Sequence, residues 1–301
     1  MANDVERTLQ TKDGNFRVLI IREDYPENPR TLTDEPVYFE DYSREYSVMT
    51  RDEKDDHYNS METRAINLIV NYGDRDKIIA LLKENGKHLT DGKSKLNNAL
   101  VYNKSAKAWE VLEYTKFYSE KNATWKMANS FDCTKAELPE YIYEICEVLT
   151  ENSLEYIFTP EFVPDLKIAT YKFGYYGGMQ VWEGLDFAGD GLCWIKKAEF
   201  LKYTGLTEDQ WKDEKLSENW LIKELKAWAD NEVFGYKTEK KVEYKVEKEC
   251  ISENRETENY NQTEWEEIDS CWGFYGTIDE VLPDILDYAG YKMDELQEVD
   301  E

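Results

Sequence analysis

The chain has 301 residues, with 64 Asp and Glu against 37 Lys and Arg, and a net charge of −27. Charge of this sign repels nucleic acid and anionic membrane and attracts basic protein surfaces, so no direct nucleic-acid or membrane binding is expected. Disorder, a common outcome of high charge, is opposed by 9 Trp, 22 Tyr and 11 Phe, side chains that bury roughly 150–250 Å² each.

Residues 16–21, Phe-Arg-Val-Leu-Ile-Ile, read as a strand. Tyr25-Pro26-Glu27-Asn28-Pro29-Arg30 is a loop, since its two prolines forbid regular structure. A short extended stretch follows at 36–39, inside an acid-rich segment (23–56) with 12 acidic residues against four Arg or Lys. Helices are predicted over 61–70, over 75–84 with Asp74 as N-cap and Asn85-Gly86 as stop, and over 104–120. Another runs from Thr134 to about Leu149, with Glu137 at the capping-box spacing and Pro139 in its first turns.

After Pro160 and Pro164 the character changes. Residues 166–176 and 179–183 read as a hairpin about Gly177-Gly178, and 192–195 as a buried strand. Helices are predicted over 197–203, ending at Gly205, and from a Ser217 cap through Trp220, Leu221, Leu225 and Trp228. Residues 233–246 read as a strand or hairpin and 264–275 as a strand, and 278–288 as a last helix ending at Gly290, followed by a frayed acidic tail. The expected fold class is α+β, mixed or antiparallel small sheets with a helical region in the N-terminal half. Two parts are expected, residues 1–160 and 161–301. The N-terminus lacks a signal-peptide pattern, no run is long enough to span a bilayer, and the five scattered cysteines form no CxxC pair. These features point to a cytoplasmic protein.

Two segments carry a resemblance. Tyr25-Pro26-Glu27-Asn28-Pro29-Arg30 after a strand, and Asp269-Ser270-Cys271-Trp272-Gly273-Phe274-Tyr275-Gly276 before the last helix, resemble a family of uncharacterised phage and mobile-element proteins of Gram-positive and gut bacteria. The likeness covers roughly residues 180–290 and the N-terminal segment. Members often continue with Trp-Asp-Asn after the Arg, where this chain has Thr31-Leu32-Thr33-Asp34. The resemblance implies expression in a host bacterial cytoplasm and assigns no catalytic residue. Trp272 and Phe274 are expected on one strand face with Ser270, and Cys271, Gly273 and Tyr275 on the other, with Gly276 releasing the chain into the last helix.

Catalytic chemistry finds little support. His57 and His88 are the only histidines and read as surface residues, and no phosphate-binding glycine motif occurs. The acids and glycines of Asp186-Phe187-Ala188-Gly189-Asp190-Gly191 lack the order of a calcium loop. Pro164-Asp165 with Glu243-Tyr244-Lys245 makes a nuclease pattern only by force. No enzyme activity, cofactor or metal is expected.

Acid runs at 249–269 and 279–301 remain. Carboxylates along a rigid surface imitate DNA phosphates, which fall every ~1.7 Å of duplex. Glu253, Glu256, Glu258, Tyr260, Glu264, Trp265, Glu266, Glu267 and Asp269 are the candidate interface, beside the structural motif Trp272, Gly273, Phe274, Tyr275 and Gly276. The leading reading is a non-enzymatic inhibitor, in the host cytoplasm, of a bacterial defence protein. The partner is a nucleic-acid-binding nuclease complex whose basic surface the acids occupy. The alternatives are a phage regulatory protein without DNA mimicry and a carboxylate–metal enzyme; homo-oligomerisation stays open.

Overall fold

A computed structural model describes residues 5–29, 34–42, 60–91, 93–115, 124–174, 178–249 and 257–299, with the backbone alone at 246–249 and 257–260. Strands β1 (Val5–Thr11), β2 (Phe16–Arg22) and β3 (Val37–Asp41) lead to helices α1 (Met61–Tyr72) and α2 (Arg75–Asn85). Strands β4 (Asn98–Asn103), β5 (Ala108–Thr115) and β6 (Thr124–Phe131) follow, then the short helices α3 (Ile142–Cys146) and α4 (Glu151–Ile157). Strands β7 (Leu166–Phe173), β8 (Met179–Glu183) and β9 (Gly191–Lys196) precede α5 (Lys197–Thr204), α6 (Glu208–Asp213) and α7 (Trp220–Ala229). The last elements are β10 (Val233–Glu249), β11 (Thr257–Tyr275), α8 (Ile278–Tyr288) and β12 (Leu296–Glu298).

The fold is α+β with antiparallel sheets. The chain forms two compact units, each assembled from separated stretches of sequence. One comprises Met1–Thr33, Gly174–Met179 and Trp220–Glu301; the other comprises Asp34–Phe173 and Gln180–Asn219. Pro160 and Pro164 both lie inside the second unit.

The first unit is built on a sheet of order β11-β10-β2-β1-β12. One face buries Leu9, Val18, Ile20, Phe234 and Tyr236 against Val281, Leu282, Ile285 and Leu286 of α8. Each such side chain contributes roughly 1.5–3 kcal/mol. The segment after Gly290 is not a frayed tail: β12 pairs with β1 from Leu9↔Glu298 to Thr11↔Leu296, and Leu296 is buried. Helix α8 covers residues 278–288 as its amphipathic pattern predicts. At its start the Glu280 carboxylate accepts the Thr277 N–H (2.9 Å) and Oγ–H (2.8 Å), and these bonds hold its pKa below the ordinary Glu value. Stability from a depressed carboxyl is present above the unfolded pKa of about 4.3 and is lost as pH falls through the folded one. Glu280→Gln is therefore expected to lower the melting temperature at pH 7, with the difference shrinking below about pH 4 in melts followed by circular dichroism.

The second unit holds two sheets, β3-β9-β7-β8 and β4-β5-β6, around a core that includes Ile69, Ile78, Leu82, Leu100, Val111, Leu138, Ile145, Leu154 and Trp194. Ser60 caps α1 and Asp74 caps α2 by accepting the N–H of Thr63 and Lys77.

Residues 104–115 are not a helix, and the remainder of the predicted span, 116–120, lies outside the described residues. Asn103 Oδ1 accepts the N–H of Ser105 (2.9 Å) and Ala106 (3.1 Å), turning the chain back at once, and β5 pairs with β4 from Asn103↔Ala108 to Asn98↔Glu113. Spacing at Ala108, Trp109 and Leu112 suits a helix locally. However, Trp109, Val111, Tyr114 and Thr115 are strand formers, and cross-strand packing decides. The helical region thus contains a three-stranded sheet. The helix predicted from Thr134 starts late: a 3-10 turn at Leu138–Tyr141 accommodates Pro139 and leads into α3. Ser217 lies in another 3-10 turn, Leu216–Glu218, and α7 begins only at Trp220.

Candidate functional site

Near its start β10 is an interior strand of the first unit's sheet. From Phe234↔Arg22 to Lys240↔Phe16 it pairs with β2, and the Lys241 N–H reaches the Asn15 carbonyl at 2.9 Å. Beyond that point, among the described residues, β10 pairs only with β11, out to Glu249↔Thr257. At about 3.4 Å per residue this ribbon continues for roughly 25–30 Å past the sheet. A two-stranded ribbon is marginal alone in water.

Two β-bulges anchor it. Each places one extra residue on β11, between the rungs at Phe234/Tyr236 and at Thr238/Glu239. Gly273 sits in the first with φ +86°, a left-handed conformation that suits glycine. The bulge shifts the alternation of faces, so Trp272 and Phe274 do not share one. Phe274 packs toward the core at 6.1 Å from the Tyr236 ring and 5.6 Å from that of Tyr288. Trp272 lies over Gly235, where a Cβ would meet its ring at 2.1 Å. Cys271 joins Phe274 against the core, against the expected alternation.

The segments 25–30 and 269–276, singled out in the sequence, meet at this root. Tyr275 Oη–H donates to the Glu27 carbonyl (2.6 Å), and Trp228 Nε1–H donates to that of Pro26 (3.1 Å). Burial first, then the carboxylates of Glu23, Glu224 and Glu27, push the Tyr275 hydroxyl up to about 12. Burial also raises Glu23, against the opposing effect of the Gly273 N–H.

The predicted interface residues divide between the faces of the ribbon. Glu266 opposes Lys240 and Glu264 opposes Val242 on one face; Trp265 opposes Lys241 and Glu267 opposes Glu239 on the other. Trp265 is partly covered by the Arg17 guanidinium, 4.6 Å from its ring centroid, and Arg17 also pairs with Glu239 at 2.6 Å. Glu267 pairs with Lys237 at 2.8 Å. Asp269 accepts the Tyr236 hydroxyl at 2.8 Å, and Glu266 accepts that of Tyr244. Asp269 is therefore tied to the root, and burial followed by this bond pushes Tyr236 up to about 12. Glu258 and Tyr260 lie on the described backbone of β11, while Glu253 and Glu256 fall outside the described residues.

The charge on the ribbon is asymmetric. Residues 241–249 carry three Lys and three Glu, whereas 257–269 carry five carboxylates and no cation. The acid thus lies on β11, the edge strand of the sheet. Beside it Ile268 and Trp272 are exposed, at 54% and 38%. The lysines that face these acids were missed in the sequence, because only the register reveals them.

Other candidate chemistry is absorbed locally. His88 lies between Asp91 (2.8 Å) and Glu84 (3.6 Å), its near neighbours in the chain. Asp186 accepts the Ala188 N–H and Asp190 that of Phe173. His57 lies outside the described residues. Among the described residues no group of three or more His, Cys, Asp or Glu is placed to hold a metal, and no helix is long and apolar enough to cross a membrane.

A cavity of about 390 Å³ in the second unit is floored by Phe158, Val163 and Ile168, but its cations are committed. Lys167 donates to the carbonyls of Lys212 and Glu214, Lys212 pairs with Asp209, and Lys215 pairs with Glu218.

Fold and site together describe an acidic α+β protein with a β-ribbon arm. No protein-family model, curated protein or solved structure matches the chain.

Proposed function

We propose that this protein acts by binding another protein through the β10–β11 arm, with the carboxylate edge of β11 set against a basic surface. The observation that carries the reading is the segregation of charge: a neutral strand supports an edge strand with five carboxylates and no cation between 257 and 269. An edge of this kind resists strand addition by other acidic chains and attracts Lys and Arg over about a Debye length. The phage-type resemblance suggests the partner class: a nucleic-acid-handling nuclease complex of a bacterial defence system, inhibited without chemistry on the inhibitor's part. Facing lysines at 237 and 240 lower the charge density below that of a duplex, so the reading is of a basic-surface binder more than of a close DNA replica.

A second reading keeps the arm and changes the force. Exposed Ile268 and Trp272 are apolar anchors beside the acids, and such residues dominate many interfaces. Affinity capture from host lysate, repeated from about 50 to 300 mM salt, separates the two. For the electrostatic reading, capture is expected to weaken about tenfold or more over that range. Replacing Glu258, Glu264, Glu266 and Glu267 together by Gln is expected to cost roughly 100-fold. Salt-independent capture that survives the quadruple variant but is lost with Trp272→Ala would transfer the interface to the aromatic anchors. Enzymatic activity is no part of either reading.

A further inference from the structure

We propose that the second unit carries a binding site for a nucleoside diphosphate, in the cavity at the turn end of β4 and β5. The reading is independent of the arm, which lies in the other unit.

The cavity measures about 510 Å³ and is lined by Tyr102, Lys107, Trp109, Asp132, Cys133, Lys135 and their neighbours. That volume lies within the range usual for small-molecule sites, roughly 300–1,000 Å³. Cross-strand pairing aligns Tyr102, Trp109 and Phe131 over three strands, and the Tyr102 and Trp109 rings stand 5.3 Å apart. Tyr102 is 46% exposed, which leaves an aromatic surface for a planar ring.

Cations gather at the same place. Lys107 and Lys135 line the cavity, and the Lys83 ammonium lies 4.4 Å from the Trp109 ring centroid. Burial first, then the Lys135 charge, hold Lys83 below the ordinary lysine range, so the two ammonium groups sense each other. Among the described residues none of the three lysines has a carboxylate within salt-bridge distance, in a chain with 64 acids. Glu137 also lines the cavity, but its carboxylate is occupied by the Thr134 N–H (2.8 Å) and Oγ–H (3.0 Å). Asp132 remains as an acceptor suited to a sugar hydroxyl.

The backbone supplies an independent observation. Lys107 has φ +55°, a left-handed turn position where Gly or Asn is the ordinary residue. A lysine held there against its own backbone preference, at the wall of a cavity that a second lysine also lines, has the character of strain retained for function. Phosphate oxygens would bridge Lys107 and Lys135 while the base rests on the Tyr102–Trp109 surface. The repulsive net charge acts on long polyanions over many contacts; a diphosphate seated between Lys107 and Lys135 meets local charge, with the Glu137 carboxylate held by Thr134.

Titration of the intact chain with ADP and GDP, followed by calorimetry and tryptophan fluorescence, tests the proposal. Dissociation constants of about 1 mM or tighter are expected, with adenosine and pyrophosphate each at least tenfold weaker. Lys135→Glu and Tyr102→Ala are each expected to weaken ADP at least tenfold. Lys107→Gly gives a sharper result: it should raise the melting temperature by about 2 °C through strain relief while weakening ADP at least fivefold. Absence of binding by either nucleotide at about 5 mM, pyrophosphate binding as tightly as ADP, or a more stable Lys107→Gly with unchanged ADP affinity would each overturn it.

Discussion

Arg64→Leu is expected to be among the most damaging single changes in the second unit, destabilising it by roughly 3–5 kcal/mol. Arg64 and Glu40 form an ion pair whose side chains are 7% and 4% exposed. The Arg64 guanidinium also lies 5.2 Å from the Trp194 ring centroid, and Trp194 stacks on Tyr38 at 5.7 Å. Burial first, and then the Glu40 charge, hold the neighbouring Tyr42 hydroxyl far above the usual tyrosine range. Removing the cation leaves a carboxylate in a place that cannot solvate it. The damage comes from burying that charge without its Arg64 counter-ion more than from a lost attraction, so Arg64→Leu with Glu40→Leu is expected to recover most of the stability. Urea unfolding combined with amide exchange in α1, β3 and β9 reads this locally. A single variant that loses less than about 1 kcal/mol would show the pair to be hydrated.

Arg64 also illustrates what was readable in the sequence. It stands three residues after Met61 and four before Leu68, within the stripe of α1 that becomes buried; that spacing was the available signal, but the apolar pattern of 61–70 does not include an arginine. An arginine there calls for a buried acid, and nothing in the chain singles out Glu40 among 64 carboxylates. Helix α8 was legible throughout, because caps, stripe and stop all lie within one short window. The β4–β5 hairpin was not, because Asn103 and a left-handed Lys107 make a turn without the glycine that usually announces one. In the arm, Gly273 was the available signal: an isolated glycine inside a strand pattern marks a bulge, and reading it so would have separated Trp272 from Phe274. The pairing of β1 with β12, from opposite ends of the chain, rests on contacts that no local pattern encodes.

Shortening the arm is expected to separate function from stability most cleanly. The Lys241 N–H faces Asn15 on the β2 side, so the next residue, Val242, faces β11, and the Val242↔Glu264 rung is the place to close the ribbon. Replacing residues 243–263 by Asn-Gly supplies a type I′ turn that matches the strand twist there. The excised rungs lie beyond the last pairing with β2, and the side chains described in them at Glu243, Tyr244, Lys245, Asn261, Gln262 and Thr263 are exposed, so little buried apolar surface is lost. The melting temperature is therefore expected to stay within about 2 °C of the parent. Partner capture is expected to fall roughly 100-fold, because the variant loses Glu258 and the reach of β11 while it keeps the root with Trp272 and Tyr275. The opposite pattern, a large loss of stability with capture intact, would make the ribbon a structural brace and confine any interface to its root. The quadruple Gln variant then serves as the companion measurement: it preserves the length of the arm and removes charge alone, so comparison of the two assigns the binding energy between reach and electrostatics.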